Sequence, residues 1–362
     1  MKKLFLCLIA LIVINIQFAF AIDMSDTLAN SKSRILDALP NSSERIIDDI
    51  DISNMDNIGI YFQKLIDGVD KKSFLTSSMR TLAKMMIIVM LAGICNGFQK
   101  NSDLPVVTIA SAVAMTSVLF SDIHGMLSLC TQTLEQTSVF SNTMLPVMAG
   151  AITLSGSPVT ASATQTITMF ALGFVIQFIS NVLVPAICAY IAIITVNAAL
   201  SNDLLDNLGQ FIKWLTTGSL KLILTVFIAY LSISGAVSGS VDAVALKTAK
   251  LAVSGSVPVV GGIISDATES MLAGMVTIKN TLGIIGMLGV VSICILPFLK
   301  VGINYLLFKA GTAAFSPICS PPLRKLMVGI GDSLGLMLGM LGTCSAILFF
   351  ELVFSILMVN PL

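Results

Sequence analysis

Charge is scarce in this sequence. Asp, Glu, Lys and Arg make up 11% of its 362 residues, and 56% are apolar. Soluble domains carry about 25% charged residues, because a surface facing water has to be covered by polar groups. An ordinary soluble globule is therefore excluded. From Gln136 to Asn202 there is no charged residue. That stretch could cross a hydrocarbon layer more than twice, at about 20 residues per helix. The single histidine, His124, excludes H-E-x-x-H zinc chemistry. No Gly-Lys dipeptide occurs, so the G-x-x-x-x-G-K-[ST] phosphate loop is missing and ATP hydrolysis by that route is excluded. The seven cysteines form no C-x-x-C pair and sit mostly in apolar runs, which argues against a zinc or disulfide framework. A net charge of zero gives no case for nucleic acid. No Ser/His/Asp arrangement is visible. These absences describe a chain that is not an enzyme and needs no cofactor or metal. Any energy it uses must come from a partner or a gradient.

What is present begins with a leader. Lys2 and Lys3 precede an apolar run from Leu4 to Ala21, which closes on Ala19-Phe20-Ala21. A basic start, an apolar centre and a small-residue site describe a cleavable signal peptide over 1–21, the alternative being an uncleaved first membrane helix. Residues 22–80 are then the only sizeable hydrophilic segment, expected to be exported. Asn41 and Glu44 have capping-box spacing. Ile58, Tyr61, Phe62, Leu65, Ile66 and Val69 share one helical face. An isolated short amphipathic helix is marginal in water, so this stripe must be buried on the membrane, on the bundle or on a partner.

Residues 81–362 read as a polytopic membrane domain, giving an all-α transmembrane bundle of six to eight spans. The candidate spans are Leu82–Phe98, Leu104–Phe120, Met144–Ala161, Thr166–Ser180, Val182–Leu200, Gly218–Ala236, Thr281–Leu299 and Ser333–Val359. Thr166–Leu200 is either two helices broken near Asn181 and Pro185 or one kinked helix, since proline removes a backbone donor and crowds the preceding turn. Two connecting segments look interfacial. Ile123, Cys130 and Leu134 share one face, and Leu204, Leu208, Phe211 and Leu215 share another. Ser201 is placed to cap the second, and Lys213 and Trp214 stand as interfacial anchors. Lys300, Lys309, Arg324 and Lys325 place the loop before the last span in the cytoplasm, whereas Lys71, Lys72 and Arg80 argue against export of the N-terminal segment. Gly331, Gly335 and Gly339, and Gly283 and Gly286, have the spacing of helix-packing glycines. The same spacing suits packing within one chain or a homo-oligomer. Glu351 lies deep in the last span and is expected to point inward.

Residues 237–280 form neither a clean span nor a clean loop. Lys247 and Lys250 share a helix face. Ser254-Gly255-Ser256-Val257-Pro258 and Gly261-Gly262 interrupt the helix, and Asp266, with Glu269 three residues on, is positioned to cap a new one. Non-helical backbone at membrane depth survives only where it is buried in protein or faces water. Lys247, Lys250, Pro258, Gly261, Asp266, Glu269 and Lys279 are therefore candidates for an interrupted hairpin facing a polar passage. The alternative is a surface hairpin whose charges meet headgroups or solvent.

The same segment carries a resemblance. The string KTAKLAVSGSVPVVGGIISDATESMLAGMVTIKNTLGIIG, Lys247–Gly286, closely resembles the stage III sporulation protein AE family of endospore-forming bacteria. The matching features are the K-x-A-K helix, the x-P-V-V-G turn, the D-A-T-[ED] restart and the K-N-[ST]-x-G-I-x-G span. The resemblance implies a membrane component of the sporulation channel between mother cell and forespore, needed for forespore development after engulfment. It implies residence in the outer forespore membrane, on the mother-cell side. It implies partners as well: other proteins of the same operon, including a secretion-type ATPase and ring-forming proteins, and a forespore membrane partner. It carries no catalytic residue. The residues taken alone leave a second reading open, a self-contained secondary transporter or permease.

Overall fold

The computed structural model describes residues 30–39, 71–98, 106–154, 158–200, 202–256 and 261–357, and along 233–279 it describes the backbone only. The leader, the amphipathic stripe at 58–69 and Pro258 lie outside the described residues. All regular structure described is helical. A short helix α1 covers 30–37. It is followed by α2 (Lys71–Phe98), α3 (Val106–Leu154) and α4 (Pro158–Phe178), which continues through a π-helical turn at Ile179–Leu183 into α5 (Val184–Leu200). Three long helices complete the chain: α6 (Asp203–Ser256), α7 (Gly261–Phe315) and α8 (Pro321–Leu357).

Among the described residues, six stretches are long and apolar enough to cross a membrane: Ser78–Cys95, Val106–Leu154, Thr166–Leu200, Asp203–Ser232, Asn280–Phe315 and Pro321–Ile356. In the most apolar window of the last two, 61% and 56% of residues are buried, against 22–33% in the other four. The α7–α8 pair is thus the centre of the bundle, and the other helices form its rim.

Several segments join where separate elements were expected. The described part of Leu104–Phe120, the 123–134 segment and the start of Met144–Ala161 form one 49-residue helix, α3. Ile123, Cys130 and Leu134 are buried in the bundle core rather than laid on an interface. Asp122 and Glu135 lower the local hydropathy, but neither breaks a helix, and polar residues on one face leave the hydrogen-bond ladder intact. Helix α3 ends at Leu154, and Pro158 opens α4 at a position where its missing N–H costs nothing. Thr166–Leu200 is continuous. Pro185 leaves the Asn181 carbonyl without its helical donor, and the wider π turn at Ile179–Leu183 accommodates this. Asn202 caps α6, its side-chain oxygen accepting the Leu204 N–H at 2.8 Å, and Ser201 lies outside the described residues. The helix expected to start at Asp266 begins at Gly261, and the one before it runs to Ser256.

The registers can be read from contacts. Helix α7 runs antiparallel to α3. Thr137 Oγ1 lies 3.9 Å from Cys294 Sγ, and Asn304 Nδ2 lies 3.7 Å from Met126 Sδ. At Gly289 an added Cβ would stand 2.5 Å from the buried Phe140 ring, so α3 seats an aromatic where α7 has no side chain. Gly283 and Gly286 continue that seam, against Ile356 and Met144. In lipid such close approach, rather than a hydrophobic driving force, holds helices together. Leu39, just after α1, also reaches Gly289, and Ile35 and Leu36 are buried in the same core.

Helices α6 and α8 run parallel with a constant offset. Asp206 meets Lys325, Lys213 meets Asp332, and Leu220 meets Gly339. Contacts seven residues apart on both helices are the repeat of a coiled-coil seam.

Candidate functional site

The polar residues of that seam gather at one end of the bundle, where the α5–α6 and α7–α8 turns lie. Asp332 stands at the centre. Lys213 Nζ of α6 donates to Asp332 Oδ2 at 2.6 Å, and Lys309 Nζ of α7 donates to Oδ1 at 2.8 Å. The carboxylate side chain is 12% exposed and the two lysines 44% and 41%. Three helices are thus tied through one acid, and the two cations share a single negative charge. Lys309 also lies 5.9 Å above the Tyr305 ring, and Tyr305 packs on Gly335.

One heptad nearer the chain turns, Lys325 donates to Asp206 Oδ2 at 2.8 Å. Asn197 of α5 donates to the other oxygen of Asp206 at 3.4 Å and accepts the Asn202 N–H at 2.9 Å. This network sets the angle at which α5 turns into α6. A cleft of about 580 Å³ opens between α5, α6 and α8, and its walls include Tyr190, Lys213, Trp214, Arg324, Lys325 and Asp332. Its back wall is close-packed, since a Cβ on Gly329 would lie 2.7 Å from Ile194. Cys319, in the α7–α8 turn, is partly buried. Burial pushes its thiol above the ordinary range, and Arg324 partly offsets this.

A second groove, of about 900 Å³, lies between α3 and α4 at the π turn. Glu135, Gln177 and Asn181 are exposed in it. Phe170 and Phe174 flank it, 77% and 66% exposed.

Of the residues singled out in the sequence, Glu351 does point inward. It is 2% exposed, and Thr168 of α4 and Ser355 stand beside it. Its Oε2 has no hydrogen-bond partner among the described residues. Gly283 and Gly286 line the α7 seam. Gly335 and Gly339 face Tyr305 and Leu220, and Gly331 meets only the Lys309 stem, at 3.9 Å. Lys247, Lys250, Gly261, Asp266, Glu269 and Lys279 fall on the ends of α6 and α7, and their side chains lie outside the described residues. The structure therefore does not bring them together or separate them. Trp214, Phe211, Leu208 and Leu204 are all more than half exposed or nearly so, at 68%, 56%, 50% and 71%. They form an outward apolar face on α6, as an interfacial anchor requires.

The charge cluster around Asp332 is the feature that sequence reading missed. A signal for it exists. Asp206 and Lys213 are seven residues apart, and so are Lys325 and Asp332, with the signs reversed. Two parallel helices with that pattern pair acid to base twice.

The family model for stage III sporulation protein AE matches residues 47–359. The chain belongs to that family. A curated member, stage III sporulation protein AE of Bacillus subtilis (strain 168), is 23% identical over 264 residues, covering 73% of this chain and 66% of that protein. No solved structure matches significantly. Family membership implies a role in stage III of sporulation, for a protein with six candidate membrane spans. The family description names a developmental stage and no reaction.

Proposed function

We propose that this chain is a membrane subunit of the channel complex that joins mother cell and forespore, and that forespore development after engulfment depends on it. The observation that carries this reading is the family match over most of the chain. The α3–α4 groove supports it. Asn181 lies about 29 Å along the helix from the end of α5 at Leu200, by the rise per residue. An exposed acid and two amides are costly wherever they face lipid tails, and they are stable beside water, headgroups or another protein's polar groups. A subunit embedded in an assembly supplies such neighbours. In this reading the partners are the other proteins of the operon, among them a secretion-type ATPase and ring-forming proteins, and a forespore membrane protein.

The orientation follows from two ends. Arg324, Lys325, Lys309 and Lys213 put the Asp332 end in the mother-cell cytoplasm. Leu39 packs at Gly289, roughly 39 Å along α7 from Phe315 by the helical rise. That is a bilayer's thickness away, the side an exported N-terminal segment would occupy. In this reading the protein sits in the outer forespore membrane with Leu39 on the forespore side.

Deletion in a sporulating host should arrest cells after engulfment, and in-cell cross-linking from Cys substitutions at Gln177 or Asn181 should capture an operon-encoded partner. Normal spores, or purified protein that moves a solute alone in liposomes, would favour a self-contained transporter instead.

A further inference from the structure

The α5–α6–α8 cleft has more positive charge than its own acids can satisfy. Lys213 and Lys309 share Asp332, leaving one positive charge in excess. Arg324 and Lys325 have one neighbouring acid, Asp206, which Lys325 occupies. The Arg324 guanidinium forms no ion pair among the described residues, and it lines the cleft. Of the residues in its wall, Lys213, Arg324 and Lys325 face Asp206 and Asp332, so one positive charge remains in excess around a cavity of about 580 Å³. Asp203, at the first residue of α6, is exposed and is not part of the cleft wall. Tyr190 adds a phenol to the wall, and Asn197 and Gln210 add amides.

The cleft mouth is amphipathic. Trp214 is part of the wall and is 68% exposed, and Leu215, Phe211 and Leu208 are exposed along the same helix. A free anion in water needs cations but has no use for an apolar ramp beside them. A phospholipid needs both, with phosphate on the cations and acyl chains along the ramp. Tryptophan belongs at the headgroup level, and basic pockets between membrane helices on the cytoplasmic side bind anionic headgroups.

We propose that this cleft is a binding site for one anionic phospholipid. Arg324, Lys325 and Lys213 hold the phosphate, and Trp214 and the apolar face of α6 hold the upper acyl chains. The bound lipid neutralises the surplus charge where three helices converge on Asp332, and so fixes the chain turns at that end of the bundle.

The test is native mass spectrometry of the full-length protein released from micelles doped with equal phosphatidylglycerol and phosphatidylethanolamine. One phosphatidylglycerol should stay bound in preference to phosphatidylethanolamine. The R324Q/K325Q variant should hold it roughly thirty-fold more weakly, at about a factor of five for each cation removed. The K84Q variant, which removes an exposed lysine of α2 outside the cleft, should hold it as the wild type does. Adding millimolar inorganic phosphate should leave retention unchanged. Equal retention of both lipids, or of phosphatidylglycerol by R324Q/K325Q, would overturn the proposal. Displacement by inorganic phosphate would overturn the lipid source and leave a site for free phosphate. Because R324Q/K325Q changes exposed side chains, its fold can be verified by unchanged thermal unfolding in lipid-free detergent.

Discussion

The two ends of α8 each hold an acid, and the two acids have opposite surroundings. Asp332, in the fourth turn, is tied to two lysines from two other helices, and those lysines reach solvent-accessible space. Glu351, near the far end, is enclosed, with hydroxyls beside it and one oxygen without a partner among the described residues. The contrast shows how one helix can have a charged, water-facing end and a closed, tightly packed one. At the Asp332 end, helices meet through ion pairs at heptad spacing. At the Glu351 end they meet through glycines, with Gly283, Gly286 and Gly289 receiving side chains from α8 and α3.

The largest effect should come from reversing the charge at the closed end. Glu351→Lys places an ammonium in a buried site with no acid facing it among the described residues, which costs roughly 4 kcal/mol or more. Folded protein recovered from membranes should fall to near zero. The next largest breaks the other end. Asp332→Ala leaves Lys213 and Lys309 facing each other without their shared acid. The lysines are partly exposed, so the loss should be about 1–2 kcal/mol, between the values for buried and surface pairs. It should shrink in high salt, which screens the remaining repulsion. Thermal unfolding in detergent at low and high salt checks both points.

Part of this contrast was legible in the sequence. Glu351 reads as inward because nothing around it in the last span is polar enough to keep it outside. The Gly283–Gly286 spacing reads as a packing seam. The Asp332 cluster was not legible from local pattern, because its three members come from positions 213, 309 and 332 on three helices. Only the reversed-sign pair, Asp206/Lys213 against Lys325/Asp332, carries a trace of it, and that trace needs the parallel pairing to be known first. Helix continuity is hidden from the sequence for a related reason. Hydropathy falls at Asp122 and Glu135, but α3 runs on to Leu154, because polar side chains on one face do not break the backbone ladder.

Smaller effects sharpen the comparison. Glu351→Gln keeps the shape of the side chain and removes no ion pair, so stability should change by less than about 1 kcal/mol. A larger loss would mean that the carboxyl has a partner its surroundings do not suggest. Lys325→Gln removes the most exposed pair and should cost about 0–1 kcal/mol. Both are measured by the same unfolding assay.

The most direct test of the contrast is aqueous accessibility in intact membranes. In a background with the native cysteines replaced, single cysteines at Arg324 and at Glu351 would be exposed to a membrane-impermeant maleimide from the cytoplasmic side of inverted vesicles. The structure predicts rapid labelling at 324, and labelling at 351 only after denaturation. Comparable labelling at both positions in the folded protein would contradict it.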